Sequence, residues 1–259
     1  ARTTTRAQQR SRSRRSISST PLTRLAPSQV HEWREKLIKA PLLRQDRSKQ
    51  STKLKAATTI NRETAVLKAA LNLALRDGYG TSDAAWRYKL APLKGAIGRR
   101  DVYLDANDRR RLIAHASADC AILVKAMSLL PLRPGAVANL VVANFDKRLS
   151  VLSIGKDKAG QDRKITLPVS TAEFLMEQSK DKLPNAPLLA RAGGGAWNKD
   201  SWKHPIKDAA IAAGLPLATT AYAIRHSVIT DLVAEHQLDT MTVARLSGTS
   251  VMMIDRFYG

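Results

Sequence analysis

The chain has 259 residues, of which 44% are hydrophobic and 25% charged, so it can build at least one sizeable core and is not a disordered polymer. Its 43 Lys and Arg outnumber 22 Asp and Glu, and the net charge of +21 points to a polyanionic partner. A single cysteine, Cys120, excludes intrachain disulfides and cysteine-based zinc sites, and no apolar run reaches the ~20 residues that span a bilayer.

The positive charge is concentrated in the first part of the chain. Residues 1–100 carry 23 basic and 6 acidic side chains, a net charge of +17, whereas residues 101–259 carry 20 and 16, a net charge of +4. This asymmetry indicates one module that grips a polyanion and a second module with another task. A membrane surface is the alternative polyanion, but no long helix pairs a basic face with an aromatic-rich apolar face, which favours nucleic acid.

A basic arm and a helical domain are expected in the first hundred residues. Residues 1–20 are mostly Arg, Ser and Thr and predict a flexible arm. Residues 21–98 predict an all-α domain of three or four helices, one of them beginning near Pro27 and another covering Thr59–Leu75 before Gly78. The apolar side chains expected on one face of the latter are Ile60, Val66, Leu67, Ala70, Leu71 and Leu75.

The second domain, residues 99–259, is predicted to be α+β and to follow a linker at residues 93–101. Asp105 is the expected N-cap of its first helix, and the apolar stretch 120–132 predicts a buried helix. Antiparallel strands are expected at Leu140–Phe145, Leu149–Ile154 and Lys164–Val169, and further helices at 170–180, 200–213, 219–235, 239–247 and just before Tyr258. The fold class is therefore mainly α with a small antiparallel β-sheet.

Two arginines and a tyrosine are candidates for chemistry. Arg133 lies where an apolar helix breaks before Pro134, and a guanidinium at a helix junction either caps the surface or projects toward an anion. Arg225 lies in the apolar segment TAYAIRHSVITDLV, three residues after Tyr222 on the same helix face. An arginine in such surroundings requires an anionic partner, which is either a carboxylate of this chain or a phosphate. No histidine pair has the spacing of a metal site.

Together these pieces resemble the tyrosine recombinase (phage integrase) family. Arg133 in LRPGA is similar to the family's first arginine, and the segment from Tyr222 to His226 is similar to its His-x-x-Arg-His box. The segment SGTSVMMIDRFY resembles the family's turn and short helix that carry the nucleophilic tyrosine, which corresponds to Tyr258. These motifs occur in the family's order and at its intervals, downstream of the basic domain.

The family's β-hairpin lysine is similar to Lys158 in GKDKAGQDRKITLP, and Lys156 is the alternative in this loop. Three positions depart from the family pattern: Ala136 replaces an acidic residue, Tyr222 replaces the first histidine of the box, and Thr249 replaces the His or Trp before the nucleophile. The hydroxyls of Tyr222 and Thr249 can still donate hydrogen bonds to a phosphate oxygen, although neither side chain is a cation near neutral pH.

The resemblance implies a two-domain DNA clamp, with a helical core-binding domain at residues 21–98 and a catalytic domain at residues 99–259. It implies a site-specific recombinase or integrase that cleaves and rejoins double-stranded DNA through a 3′-phosphotyrosyl intermediate, without metal, ATP or cofactor. It also implies a homo-tetramer on DNA in a bacterial or phage-infected cytoplasm. The implied catalytic residues are Tyr258, Arg133, Arg225, Lys158, Tyr222 and Thr249.

Three other functions are compatible with parts of this pattern. The departures at Ala136, Tyr222 and Thr249 suggest a DNA-binding protein of the same fold that has lost cleavage. A type IB topoisomerase shares the chemistry and would relax DNA without strand exchange. An RNA-binding protein is disfavoured because only 5% of the residues are aromatic and no stacking platform is visible.

Overall fold

The computed structural model describes residues 17, 19–41, 53–96, 102–155 and 162–258. The chain divides into two compact units, residues 1–98 and 99–259. Nearly all of the predicted basic arm, and residues 97–101 of the predicted linker, lie outside the described residues. No helix in the described part of the chain combines the length and the apolar composition that a membrane span needs.

The first unit packs two helices around a tryptophan. Helices α1 (Pro27–Lys39) and α2 (Ala57–Arg76) are preceded by one 3-10 turn at Leu22–Arg24. Their core includes the buried side chains of Val30, Trp86 and Leu90. The last two come from a turn segment, and the Trp86 indole Nε1 donates to the Asn72 side chain at 2.8 Å. Residues 19–41 and 53–96 of this unit contain two α-helices, and a turn segment supplies the third wall of their core.

Helix α2 ends as its sequence predicts, and most of its predicted apolar face packs against the core. Gly78 takes a left-handed backbone with φ +84, and the amides of Gly78 and Tyr79 donate to carbonyls of the last turn, which satisfies groups that a helix end leaves unpaired. The prediction that Val66 faces the core was wrong, because 68% of its surface is exposed. Ile60 and Thr64 are buried at the i, i+4 spacing of one helix face, and the predicted Leu67, Leu71 and Leu75 pack against the core.

The second unit is an α+β domain, and the predicted fold class is confirmed. Strands β1 (Phe145–Asp146), β2 (Val151–Ile154) and β3 (Arg163–Thr166) form one antiparallel sheet in that order. In its register, Leu152 pairs with Ile165 and Ile154 pairs with Arg163. The helices of this unit are α3 (Ala106–Ala114), α4 (Ala118–Leu129), α5 (Pro134–Ala138), α6 (Val169–Ser179), α7 (Lys199–Ala212), α8 (Ala221–Ala234), α9 (Thr240–Ser247) and α10 (Val251–Tyr258).

The strand predicted at Leu140–Phe145 was wrong. Most of this segment is a loop and a 3-10 turn at Val142–Asn144, and the amides of Val142 and Ala143 donate to the carbonyls of Ala186 and Pro184. The Asn144 side chain accepts the Val141 amide at 2.8 Å, which favours the turn over an extended strand. Apolar composition alone does not distinguish a strand from such a buried connection.

The other two predicted strands are shorter than expected. The second begins at Val151, after Ser150 in a left-handed conformation with φ 52. The third begins one residue earlier than predicted, at Arg163, and ends at Thr166, because Pro168 starts helix α6. The helix predicted at 120–132 ends at Leu129, and the segment beyond it leads to Arg133.

A buried ionic network anchors the start of the second unit to helix α8. The Asp231 carboxylate accepts from the Tyr103 hydroxyl at 2.7 Å and from Arg109 Nη2 at 2.6 Å, and it is only 6% exposed. The Ser227 hydroxyl accepts the Leu104 amide at 2.8 Å. The predicted N-cap Asp105 accepts the Asp108 amide and begins helix α3. These bonds fix the face of α8 that lies opposite the functional candidates.

Replacing Asp231 by Ala is expected to destabilise the second unit strongly. The substitution leaves the Arg109 guanidinium buried without its carboxylate, a change that typically costs about 3–5 kcal/mol of unfolding free energy. Urea denaturation followed by circular dichroism measures this loss. Arg111→Ala, which breaks an exposed ion pair with Asp108, is the control and should change the midpoint little. Equal effects of the two substitutions would contradict the assignment.

Candidate functional site

Arg225 is buried at the centre of the candidate site. Helix α8 begins at the Thr220 N-cap, whose hydroxyl accepts the Ala223 amide, and it carries Arg225 between buried apolar residues. Arg225 is 8% exposed. Its Nη1 donates to the Pro131 carbonyl at 2.5 Å and to the Ser247 carbonyl at 3.1 Å. Arg225 therefore connects the end of the α4 segment with the end of α9.

The surroundings of Arg225 are unfavourable for its positive charge. Burial lowers the pKa of Arg225 to about 10, and repulsion from Arg133, and to a smaller extent from Arg163, acts in the same direction. The phenol oxygens of Tyr258 and Tyr222 partly oppose this lowering of the pKa. Within the described ranges no salt bridge involves Arg225, so its partners are carbonyl oxygens and not the carboxylate that the sequence left open. An anion bound beside Arg225 would stabilise its positive charge.

Arg133 lies at the N-cap position of the short helix α5, with Pro134 at the first helical position. Arg133 is half-buried and comes directly after the buried Leu132. The backbone at Arg133 is therefore held between a core residue and the proline that begins the helix. Among the described residues, its guanidinium has no hydrogen bond or ion pair. The positive charge of Arg133 lowers the pKa of Arg225, so the two cations are close enough to repel each other.

Tyr258 is the last residue of α10 and lies against helix α8. Its ring meets the His226 ring edge-on, with 4.7 Å between centroids and an interplanar angle of 84°. The tyrosine packs on a small core of buried side chains that includes Ile229, Val243 and Ile254. Helix α10 is thereby docked so that the phenol lies within electrostatic range of Arg225.

The turn between α9 and α10 carries Thr249. Gly248 has φ +67, and the amides of Gly248 and Thr249 both donate to the Ala244 carbonyl. Ser250 then starts α10 by accepting the Met253 and Ile254 amides on its carbonyl. Thr249 is half-buried, one residue beyond the glycine and two beyond the Ser247 carbonyl that Arg225 binds.

The remaining predicted site residues are less closely assembled. Tyr222 is 47% exposed on the first turn of α8, and its charge interaction with Arg225 matches their three-residue spacing. Ala136 is half-buried in α5. Lys158 and its alternative Lys156 lie outside the described residues.

Arg163 is a member of this cluster that the sequence prediction missed. It begins β3 and donates from Nη1 to the Arg245 carbonyl at 2.9 Å. A signal was present: Arg163, Ile165 and Leu167 alternate along the strand, and the latter two are buried. An arginine in phase with core residues faces the interior side of the strand. Because the predicted strand began at Lys164, Arg163 was left outside the strand and its place in the alternation was missed.

The cluster is suited to binding an anion next to a hydroxyl nucleophile. Guanidinium groups bind the oxygens of phosphate through charge-assisted, often paired hydrogen bonds. The described residues contain no group of three or more His, Cys, Asp or Glu side chains that could hold a metal ion. Arg133 and Arg163 lie close enough to Arg225 to lower its pKa, so the three guanidinium groups share this neighbourhood.

Comparison with known proteins identifies the fold. No protein-family model matches the chain, and no curated protein matches its sequence. Among solved structures, the Tn1549 transposon integrase in complex with circular intermediate DNA has a TM-score of 0.71 at 16% identity, covering 99% of this chain and 91% of that chain. A lambda integrase dimer bound to a COC′ core site has a TM-score of 0.69 at 15% identity, covering 95% and 68%. XerA recombinase has a TM-score of 0.51 at 18% identity, covering 93% and 80%.

These identities are low while the coverage is nearly complete. The chain therefore has the fold of the tyrosine recombinases and integrases, the fold that the sequence motifs resemble. Since a fold can host more than one function, activity is argued from the site itself.

Inorganic phosphate is expected to raise the melting temperature through this cluster. At ten times its dissociation constant, phosphate stabilises the folded state by about 1.4 kcal/mol. For a unit of this size, that corresponds to roughly 3–5 °C. Differential scanning fluorimetry of the whole chain measures the increment.

The matched comparison is between Arg225→Gln and Arg148→Gln, the latter an exposed arginine after β1. The second variant should keep the phosphate increment and the first should lose most of it, whatever their starting melting temperatures. General salt effects of phosphate appear equally in both variants and cancel. An undiminished increment in Arg225→Gln would contradict the anion site.

Proposed function

We propose that this protein is a tyrosine-type site-specific DNA recombinase that cleaves and rejoins strands through a 3′-phosphotyrosyl intermediate. The observation that carries the proposal is the setting of Arg225. It is a buried cation, held by two carbonyls, near the charges of Arg133 and Arg163 and the phenol of Tyr258. The fold of the chain is shared with integrases whose solved structures contain DNA.

The two arginines of the motif would bind the scissile phosphate. Arg225 and Arg133 would each contact non-bridging oxygens, and their charges would stabilise the negative charge that grows in the transition state. Arg225 is well suited to this role because its Nη1 is already fixed by the Pro131 and Ser247 carbonyls. A preorganised donor needs little rearrangement when the reaction occurs.

Tyr258 would act as the nucleophile. Its phenolate oxygen would form a bond to phosphorus in line with the bond to the 5′ oxygen, which breaks, while the phenol proton is released to solvent. The products are a 3′-phosphotyrosyl linkage and a free 5′ hydroxyl. Because the bond energy is kept in the covalent intermediate, another 5′ hydroxyl can reverse the step without ATP.

Lys158 would protonate the leaving 5′ oxygen, with Lys156 as the alternative. Both lie in the chain segment between β2 and β3, and the choice between them rests on the motif GKDKAGQDRKITLP alone. The hydroxyls of Tyr222 and Thr249 would donate hydrogen bonds to phosphate oxygens at the positions where the family has other donors. No metal or cofactor is assigned a role in this scheme.

Double-stranded DNA is the proposed partner, gripped mainly by the first domain. Residues 1–100 have a net charge of +17 and residues 101–259 only +4. Contacts between basic side chains and phosphates supply sequence-independent affinity and steer association. The basic first domain at 21–98, with the arm at 1–20, would therefore hold the duplex while the second domain, 99–259, performs the chemistry.

Replacing Tyr258 by Phe is expected to abolish the covalent protein–DNA complex while DNA binding persists. The substitution removes the attacking oxygen and keeps the ring that packs against His226. A nicked suicide duplex, resolved on a denaturing gel, measures the adduct. A gel-shift titration of the same duplex measures binding.

Tyr222→Phe and Tyr103→Phe are the controls for this experiment. Tyr103 donates its hydroxyl to Asp231, and this raises the pKa of Tyr103 well above the ordinary value, so it is a poor nucleophile. Tyr103→Phe should form the adduct as the unaltered protein does, and Tyr222→Phe, which loses one hydrogen bond to the phosphate, should form it more slowly but still form it. Persistence of the adduct in Tyr258→Phe would show that another residue attacks, with Tyr222 the next to test.

A substrate with sulfur in place of the scissile 5′ oxygen is expected to identify the lysine. Sulfur leaves without a proton, so the substrate should restore cleavage to a variant that lacks the general acid and to no other variant. We expect rescue of Lys158→Ala. Rescue confined to Lys156→Ala would move the assignment by two residues, and failure of rescue in both would remove the hairpin lysine from the mechanism.

A DNA-binding protein of the same fold that no longer cleaves is the second candidate. It is favoured by Ala136, Tyr222 and Thr249, which stand at positions where the family has acidic, histidine and His or Trp residues. The suicide-substrate experiment separates the two candidates. Tight binding of duplex DNA without any adduct in the unaltered protein would establish the second candidate.

A further inference from the structure

Arg163 connects the sheet to the turn that precedes the Tyr258 helix. Its Nη1 donates to the Arg245 carbonyl at 2.9 Å, across 82 residues of sequence. Its guanidinium also lies against Gly248: a β-carbon at position 248 would be 2.6 Å from Cζ and 2.8 Å from Nη2 of Arg163. These distances are far below van der Waals contact, so the guanidinium occupies the space that a side chain at 248 would take.

The chemistry of a helix end explains this arrangement. The last carbonyls of α9 have no partner within the helix, and a cation is favoured at this end of the helix dipole. Arg163 provides a donor and a positive charge there. The φ of +67 at position 248 disfavours any side chain, and an added β-carbon would also have to displace the Arg163 guanidinium from its place against the turn.

The turn that Arg163 supports lies between the proposed catalytic groups. Ser247, one residue before the glycine, provides the carbonyl that holds Arg225. Thr249 follows the glycine, and Ser250 begins the helix that ends at Tyr258. Arg163 is also close enough to Arg225 for the two charges to repel. Movement of this turn would therefore shift both the arginine clamp and the tyrosine helix.

We propose that Arg163 is a positioning residue, which holds the Gly248 turn and thereby presents Tyr258 to a phosphate bound by Arg225 and Arg133. This inference rests on the proposed recombinase function and adds a residue that the motif comparison did not contain. Arg163 acts through the backbone at 245 and 248. A misplacement of about 1 Å in a reacting group can cost roughly 10²-fold in rate, so the expected loss is large.

The test compares Arg163→Gln with Arg148→Gln, an exposed arginine that follows the first strand of the same sheet. With the duplex at saturating concentration, Arg163→Gln should form the suicide-substrate adduct at least ~10-fold more slowly. Amide hydrogen exchange of the uncomplexed protein should become faster at Gly248 and Thr249, whose amides bond to Ala244. Arg148→Gln should change neither quantity. Arg163→Lys, which keeps the charge but not the planar fork, should lie between them.

Gly248→Ala tests the same contact from the other side and guards against a folding defect in the Arg163 variant. The added β-carbon should displace the guanidinium and slow adduct formation as Arg163→Gln does. In an Arg163→Ala background, Gly248→Ala should slow adduct formation by a smaller factor, because only the backbone strain remains. Equal factors in the two backgrounds would overturn the steric coupling.

Two further results would overturn the proposal. The first is unchanged hydrogen exchange at the turn in Arg163→Gln, and the second is faster exchange with an unchanged rate of adduct formation. Absence of the adduct in the unaltered protein is a different result, because it refutes the recombinase function itself and the positioning role with it. Faster exchange in Arg163→Gln together with a slower adduct supports the proposal.

Discussion

The candidate site depends on one guanidinium that is shared between two carbonyls. Arg225 Nη1 donates to Pro131 and to Ser247, and these residues lie at the ends of the segments that carry Arg133 and Thr249. A cation so deeply buried is costly unless its donors are used, and both bonds are made by the same nitrogen. The position of each neighbouring group therefore follows from where helix α8 holds this side chain.

The same arrangement brings other positive charges close to Arg225. Arg133 and Arg163 both lower the pKa of Arg225, and no carboxylate in the described ranges forms an ion pair with it. A pKa shifted by burial and by neighbouring charges is typical of a functional site, and its cost is compensated elsewhere in the fold. Here the compensation comes from the large core of the second unit and from the Asp231 network on helix α8.

The chain shares its fold with recombinases and integrases at low sequence identity. Identities of 15–18% to recombinases and integrases accompany coverage of 93–99% of this chain. Family models do not match, yet the two arginines and the tyrosine remain in order along the chain. Fold similarity depends on the apolar pattern and on the packing, which tolerate many substitutions of similar volume. Chemistry depends on few positions, and this explains why short motifs located the candidates.

The sequence by itself determined the elements whose signals are local. The helix with the Asp105 cap, the helix end at Gly78 and the order of helices in the second unit depend on spacing within a few turns. Only the tertiary structure decided the rest. Leu140–Phe145 failed as a strand because its amides pair with a segment about 40 residues away, and Arg163 joined the site through a carbonyl 82 residues away. Such contacts leave no periodic trace in the chain, because their geometry is set by packing between distant segments.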